Sequence, residues 1–541
     1  MKRLSTLVFI LAATVAAFAV PARRGGLPVT QPDGTELTVY QHGDEHFHWF
    51  TNAQGEWLSL DNDGFYRVTK ALTTEEINAK RMAAPRRAEY KATPLNVAPR
   101  GLIILVNFTD AQFQTDRAEM DSMLTGYNYT RDYSYKSGMR NYHITSQGSA
   151  RQYFYDSSHG QYNPQFDVVG PVILSQKMSY YGGNDSWGND KAPEKMIKEA
   201  CELVNDSVDF SLYDNNNDGK VDFVYVIYAG YGEADGGGVT TIWPHSWELS
   251  AAGLSCNVDG KRVDLYACGN ELDNYSKQHS GIGTFCHEFS HVLGLPDLYE
   301  TTGEGTHKTM GAWSILDYGP YNNDGNTPPA YSAYERFFLG WLTPRQIIEP
   351  DDITLEELNL TNEALLITEK DQEHNLIGND PNPTTFYLLE NRQQTMWDEY
   401  LPGHGLMLTK IKYSYNKWYG NTVNNTASSM GVDLIEADGK APQYGSSGYD
   451  GKAKDLFPAG ATEYTKIAEH AMEDITETEG LITFKYKGGK VETDIENVGS
   501  EHAILAIYNV LGQKQTTTHI EELPRGTYIV MTTAGSKKIV R

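Results

Sequence analysis

The chain has 541 residues, 40% of them hydrophobic and 21% charged, which supplies several packed cores and excludes wholesale disorder. A formal net charge of −26 excludes nucleic acid and anionic membrane surfaces as partners, since both demand clustered Lys and Arg, and suits a soluble exported protein with acidic, cation-binding sites. Four cysteines exclude a disulfide-dense scaffold.

Residues 1–19 read as a signal peptide: Lys2 and Arg3 precede an apolar run that ends in the small-x-small site Ala17-Phe18-Ala19. Residues 20–97 read as a β-rich unit. Segments 37–40, 47–50, 57–60 and 65–68 alternate as strands do, with Asn62-Asp63-Gly64 as a hairpin turn. His42, His46 and His48 read as polar-face residues of those strands. Residues 73–87 read as a helix or a charged linker, and carry the dibasic pair Arg86-Arg87.

Residues 98–345 read as an α+β domain. Segments 102–108 and 223–228 are apolar runs suited to buried central strands, and 193–204 carries apolar residues at helical spacing. Between them, residues 214–222 have oxygen side chains at calcium-loop positions 1, 3, 5 and 9 and Gly219 at position 6. Asp214, Asn216, Asp218 and Asp222 would supply side-chain ligands and Lys220 its carbonyl to Ca2+. Position 12 is Tyr225 rather than Glu, so a polar turn without an ion is the other reading. Residues 230–238 are Gly-rich and acidic, a loop for the rim of a cleft. His245, between Trp243 and Trp247, either helps fix a site or packs among aromatics. Cys256 and Cys268 close a short loop and are the pair a disulfide would join, while Cys286 reads as a core thiol.

Function turns on Cys286-His287-Glu288-Phe289-Ser290-His291-Val292-Leu293-Gly294-Leu295-Pro296-Asp297. Thr284 would cap a helix here, on which His287 and His291 share one face and can grip one divalent metal ion. Glu288 is placed to take a proton from a metal-bound water. Gly294 would end the helix in the left-handed conformation, and the chain would fold back to offer Asp297 as third ligand. Glu300 is a rival third ligand at a less suitable spacing. Two imidazoles and a carboxylate leave one position open for water, the arrangement of a catalytic Zn2+ site. Taken alone, HExxH has a bland alternative, an amphipathic helix with two histidines.

The pattern HExxHxxGxxD, with Trp313-Ser314-Ile315-Leu316-Asp317-Tyr318-Gly319 downstream, resembles the metzincin clan of zinc peptidases. In that clan this turn forms an apolar floor below the metal, where Leu316 stands in place of Met, and a tyrosine two residues on binds the oxyanion, a role the resemblance gives to Tyr318. With Asp297 within Leu295-Pro296-Asp297-Leu298-Tyr299, the chain resembles the M6 family of secreted peptidases, the immune inhibitor A type. So do Ser149-Ala150-Arg151-Gln152-Tyr153-Phe154, Phe166-Asp167-Val168-Val169-Gly170-Pro171, Ile242-Trp243-Pro244-His245 and Phe386-Tyr387-Leu388-Leu389-Glu390-Asn391-Arg392; the resemblance runs over about residues 100–480. It implies a metzincin-like domain with a twisted sheet and an active-site helix. It implies hydrolysis of protein or peptide substrates by a zinc-activated water, with Glu288 as general base. It also implies a propeptide over residues 20–97 that imposes latency without a cysteine, and an activating protease, for which Arg86-Arg87 would suit a trypsin-like cut. The enzyme is expected to be monomeric.

Residues 331–341 read as a helix with an aromatic core face. Residues 346–488 change to short strands between Gly, Asn and Pro turns, a β-sandwich-like module packed behind the peptidase. Residues 489–541 form a small β unit that resembles the C-terminal sorting domain of type IX secretion, which implies that machinery as a partner and a secreted or outer-membrane surface location. An Ig-like accessory domain is the alternative. The rival function is a cell-surface adhesin that binds glycoproteins through its β modules and keeps a vestigial metal site; a complete ligand set plus a base speaks for the enzyme.

Overall fold

The computed structural model describes residues 20–77, 99–490 and 504–540, apart from 46, 62, 74, 138–139, 186–187, 303–306, 442–448 and 533–534. Segment 1–19, His46, Arg86-Arg87 and residues 491–503 lie outside the described residues. The chain is mixed α/β, mainly β, built from several sheets with few helices. No described helix is long and apolar enough to cross a membrane.

The alternating segments near the start form an antiparallel meander: β1 (Gly26–Thr30), β2 (Glu36–Asp44), β3 (Phe47–Thr51), β4 (Trp57–Leu60) and β5 (Tyr66–Val68). Gly64 closes the last hairpin at a φ of 83°, which only glycine adopts cheaply. His42 stays with its sheet, stacked on Trp49. His48 reaches out of it, lying 3.1 Å from the Glu233 carboxylate and stacked on Trp243.

The chain continues through β6 (Arg100–Asn107), α1 (Arg117–Thr125), the hairpin β7 (Thr130–Ser137) and β8 (Arg140–Gln147), α2 (Ala150–Ser157) and β9 (Gln165–Ile173). It then forms α3 (Pro193–Val204), β10 (Val224–Tyr231), β11 (His245–Glu248), the ribbon β12 (Cys256–Val258) and β13 (Lys261–Val263), β14 (Leu265–Leu272) and α4 (Gly283–Val292). The central sheet has the order β11-β14-β10-β6-β9; its strands are parallel except β11, an antiparallel edge. Successive side chains on a strand face opposite sides. Ile103, Leu105, Tyr225 and Ile227 pack against α1, α2 and α4, while Leu102, Ile104, Val224 and Val226 pack against α3. Burial on both faces is why these strands read as unbroken apolar runs. Phe289 fastens α4 under the sheet, its ring 4.6 Å from Phe223, 4.8 Å from Phe154 and 5.4 Å from Phe166.

The cysteine pairing differs from the expectation: all four thiols are free and buried. Cys268 lies inside the central sheet, 3.4 Å from His245 Nδ1, whereas Cys256 faces Cys201 of α3. The β12–β13 ribbon carries Cys256 away from β14, so closeness in sequence is not closeness in space.

Ser332 and Glu335 form a capping box that starts α5 (Ala333–Phe338), a shorter helix than the span 331–341. Beyond it come β15 (Arg345–Gln346), β16 (Asp351–Leu355), β17 (Leu365–Thr368), β18 (Thr385–Arg392), β19 (Gly405–Lys412), α6 (Tyr415–Tyr419), β20 (Val432–Leu434), β21 (Met472–Thr478) and β22 (Leu481–Tyr486). They make two sheets, β15-β17-β18-β19-β20 and β16-β22-β21, which share a core of Ile367, Leu389 and Leu408 against Ile353, Ile475 and Phe484. The other face of the larger sheet, with Leu366, Phe386, Leu388 and Met407, joins the core under α4 and α5. The module is therefore fused to the central unit, not merely packed behind it. Residues 504–540 form an antiparallel sheet of β23 (Ile504–Asn509), β24 (Thr527–Thr532) and β25 (Gly535–Val540) with a small core of its own.

A buried ionic network locks this junction. Arg392 donates to Asp398 at 2.6 and 2.8 Å and to Glu390 at 3.0 Å, and Asp398 also accepts from Ala330 N, 3.0 Å away. Arg392→Leu would leave Glu390 and Asp398 without their hydrogen-bonded counter-charge, with only the more distant charge of Arg336 facing them. It should cost about 3–5 kcal/mol, read as a lowered urea midpoint with the native spectrum otherwise retained.

Candidate metal centre

α4 begins at Gly283 with Ile282 as N-cap and no side-chain cap, so Thr284 lies inside the first turn and does not cap it. The start is set by close approach instead: Gly281 and Gly283 press on the backbone carbonyls of Gly325 and Pro320, leaving no room for a Cβ. The end is as read from sequence. Gly294 has a φ of 112°, its N–H bonds His291 O at 3.1 Å, and Leu295 N–H bonds Ser290 O at 3.1 Å. This left-handed cap turns the chain back beneath the helix.

The turn brings Asp297 to the two histidines. His287 Nε2 and His291 Nε2 are 3.0 Å apart, and Asp297 Oδ1 is 3.3 Å from each. All three side chains are closed to solvent. His287 Nδ1 lies 2.7 Å from Ile315 O and His291 Nδ1 2.8 Å from Leu295 O. Each Nδ1–H therefore donates to a carbonyl, which leaves the Nε2 lone pairs facing inward. Asp297 Oδ1 accepts no hydrogen bond. Three converging acceptors without a donor fit a cation, and the N, N, O donor set suits zinc. Among the described residues this is the one His/Cys/Asp/Glu group whose ligating atoms lie within 4.8 Å of one another. Glu300 is not part of it; its carboxylate faces Thr302 and His307.

Burial would raise the Asp297 pKa, but His291 and His287, when protonated in place of a bound cation, hold it down to about 2. Glu288 moves the other way. Burial, then the negative charges of Asp297 and Glu45, push its carboxyl well above the usual range. Its Oε2 has no hydrogen-bond partner, and its Oε1 accepts the Val20 N–H at 3.0 Å.

Val20 belongs to an N-terminal segment that runs through this cleft. Trp243 Nε1 donates to Val20 O at 3.0 Å, Tyr321 Oη to Pro21 O at 2.7 Å, and Arg24 N–H to Tyr318 Oη at 2.9 Å. The Tyr318 hydroxyl is thus occupied by this chain's own backbone. Leu316 is fully buried, and its carbonyl accepts Leu298 N–H at 2.7 Å, tying the turn to the loop that carries Asp297. His245 lies among aromatics, bonded to Trp243 O at 2.7 Å and Tyr266 Oη at 3.0 Å.

In the loop read as calcium-binding, Gly219 takes the expected left-handed turn, with a φ of 88°. Asp214 accepts Lys261 Nζ at 2.6 Å and the N–H groups of Asp218 and Gly219, and Asp222 accepts Asn215 N–H at 3.0 Å. Asn216 and Asp218 bond backbone N–H groups of the same loop, from Asp218 and Lys220.

Asn421, just past α6, has no motif to announce it. It accepts Asp297 N–H at 2.8 Å and donates to Asp297 Oδ2 at 2.6 Å, which fixes the carboxylate with Oδ1 inward.

Residues 96–342 match the family model described as immune inhibitor A peptidase M6, catalytic domain. Pre-pro-metalloprotease PrtV of Vibrio cholerae serotype O1 (strain M66-2) is 29% identical over 237 residues, covering 39% of this chain and 25% of that protein. Immune inhibitor A of Bacillus thuringiensis subsp. alesti is 27% identical over 216 residues, 35% of this chain and 31% of that protein. A putative secreted metallopeptidase of Arthroderma benhamiae is 23% identical over 269 residues, 39% of this chain and 38% of that protein. The chain thus spans well under two-fifths of these relatives' length in the first two cases. Together these likenesses support the peptidase M6, immune inhibitor A-like, family of metallopeptidases for the matched segment.

Asn421→Ala should free Asp297 to rotate and weaken divalent-metal affinity by about 10–100-fold, measured by competition with a zinc-sensitive chelator dye.

Proposed function

We propose that this protein is an exported zinc-dependent endopeptidase made as a zymogen. Its divisions would be those read from the sequence: a signal peptide cut after Ala19, a propeptide over 20–97, a metzincin-like catalytic domain over 98–345, an accessory module, and a C-terminal unit that suits type IX sorting. The observation that carries the reading is the convergence of His287, His291 and Asp297 on one point beside the unpartnered Glu288 oxygen. His287 and His291 would hold the metal through Nε2, and Asp297 through Oδ1. Zinc supplies Lewis acidity there, lowering the pKa of a water and polarising the scissile carbonyl. Glu288 takes the proton at Oε2 and delivers it to the leaving amine. Tyr318, once freed from Arg24, donates to the developing oxyanion.

Latency follows from the same contacts. Segment 20–24 lies where a substrate backbone would lie, holding Glu288 and Tyr318. A cut after Ala19 would leave Val20 first, so that an ammonium would face Glu288.

Glu288→Gln should lower casein cleavage by about 10²–10⁴-fold with zinc content unchanged; cleavage at the native rate would remove Glu288 from the mechanism. The intact chain should be inert on casein and gain chelator-sensitive activity when residues 20–77 are released by limited proteolysis, whereas equal activity before and after release would end the latency reading. The docked propeptide should also respond to pH. Burial alone would lower the His48 pKa, but Glu233, assisted by Asp44, raises it above its usual 6.5. Asn184, which donates to the same Glu233 oxygen at 2.8 Å, carries no charge. Charged His48 then favours docking. The contribution is complete below pH 6.5 and is lost as pH rises through the raised value. Release of the cut propeptide, followed by gel filtration, should accelerate over that rise, and His48→Gln should flatten the dependence.

A further inference from the structure

Arg23 sits three residues along from Val20, in a pocket built by three separate loops. Its guanidinium pairs with Asp273, at the end of β14, and with Asp324, in the turn after Tyr318. The ring of Tyr275 lies 4.2 Å from the guanidinium carbon, and that of Tyr321 5.8 Å. Asp235, in the loop after β10, is a third buried carboxylate facing the same charge. The pocket's carboxylates are also held from behind by the domain's own hydrogen bonds. Asp273 Oδ1 is held by the N–H groups of Tyr275 and Ser276 at 3.0 and 2.6 Å and by Ser276 Oγ at 2.8 Å, which aims Oδ2 at Arg23. Asp324 is fixed in the left-handed conformation, with a φ of 57°, and its Oδ2 accepts from Tyr133 Oη at 3.3 Å. Tyr275 Oη is buried without a hydrogen-bond partner.

Among the described residues, Arg131 and Lys277 also feel the charge of Asp273, but both direct their donors elsewhere. Arg131 is turned to Asn326 at 2.7 Å and to the His279 carbonyl, and Lys277 Nζ to Asn274 at 2.6 Å. When segment 20–24 leaves, Asp235, Asp273 and Asp324 lose the guanidinium that compensates them. Asp235 registers this crowding: burial and Asp273 push its pKa up to about 7 against the pull of Arg23. A buried carboxylate group without a counter-charge is costly, so the vacated pocket favours a replacement cation.

The pocket belongs to the substrate cleft. Three residues of chain span at most roughly 10 Å, so Arg23 is within one short peptide's reach of Glu288, which Val20 touches. We propose that the Asp235–Asp273–Asp324 pocket is a specificity subsite that takes an arginine side chain, and less tightly a lysine, of the substrate. This rests on the peptidase reading above. A planar fork can meet two carboxylates at once and stack on Tyr275, whereas an ammonium is a single point charge, which sets arginine above lysine. Arg23 is then a substrate mimic, and the same pocket serves latency and selectivity.

The test uses the full chain after limited proteolysis, with the activating protease inactivated, on a mixed peptide library whose products are sequenced. Arginine, then lysine, should be enriched about tenfold at one fixed position within four residues of the cleaved bond. In the Asp273→Asn, Asp324→Asn double variant, the rate ratio between an Arg peptide and its Ala counterpart should fall toward one. The peptide Val-Pro-Ala-Arg-Arg should inhibit the wild type at least tenfold better than Val-Pro-Ala-Ala-Arg. Cleavage without a basic preference, with equal inhibition by the two peptides, overturns the subsite and leaves the peptidase reading standing. Cleavage of no peptide at all overturns the peptidase reading itself.

Discussion

Three lone pairs meet at one buried point: two imidazole nitrogens 3.0 Å apart and a carboxylate oxygen 3.3 Å from each. Without a positive charge among them such a meeting is repulsive and desolvated, so the protein must hold each group by force from behind. Backbone carbonyls of Ile315 and Leu295 hold the imidazoles, and Asn421 holds the carboxylate. Each of those supports hangs on a larger element. Ile315 sits in the turn over residues 313–319, Leu295 follows the left-handed cap at Gly294, and Asn421 comes from the module fused to the central unit. The metal centre is therefore the place where three parts of the chain are reconciled, and the shared hydrophobic core under α4 and α5 is what keeps them in register.

The same electrostatics explain why the N-terminal segment can lie in this cleft. The surface around Glu288 is rich in carboxylates that are buried or half-buried, among them Glu233, Asp235, Asp273 and Asp324. The segment answers them with an N–H at Glu288, Arg23 in its carboxylate pocket, and His48 from β3 at Glu233. An acidic cleft plugged by a basic segment is stable while covered and favours basic chain when open. In the proposed reading, latency and selectivity then have one physical origin.

Much was legible from local spacing. The strand runs at 102–108 and 223–228, the helix over 193–204, the hairpin at Gly64 and the left-handed Gly294 all follow from periodicity and from what glycine alone adopts cheaply, and all are present. His287, Glu288 and His291 are set by a four-residue repeat on one helix, and Asp297 by a short turn. Elements misread from sequence failed for a common reason. Thr284 is of a type that suits a cap, but close approach of Gly281 and Gly283 to neighbouring carbonyls sets the helix start. Cys256 is near Cys268 along the chain, but the β12–β13 ribbon turns it toward Cys201.

By itself, then, the sequence determined the face of α4 that carries His287 and His291, the turn that returns Asp297, and the strands and helices of the central sheet, because each depends on residues within a few positions of one another. Only the tertiary structure decided that Asn421 orients Asp297 from 124 positions away, that Val20 reaches Glu288 across 268, and that Arg23 fills a pocket made by Asp235, Asp273 and Asp324. Such contacts are between single polar side chains brought together by the packing of whole sheets, and no periodicity along the chain encodes them.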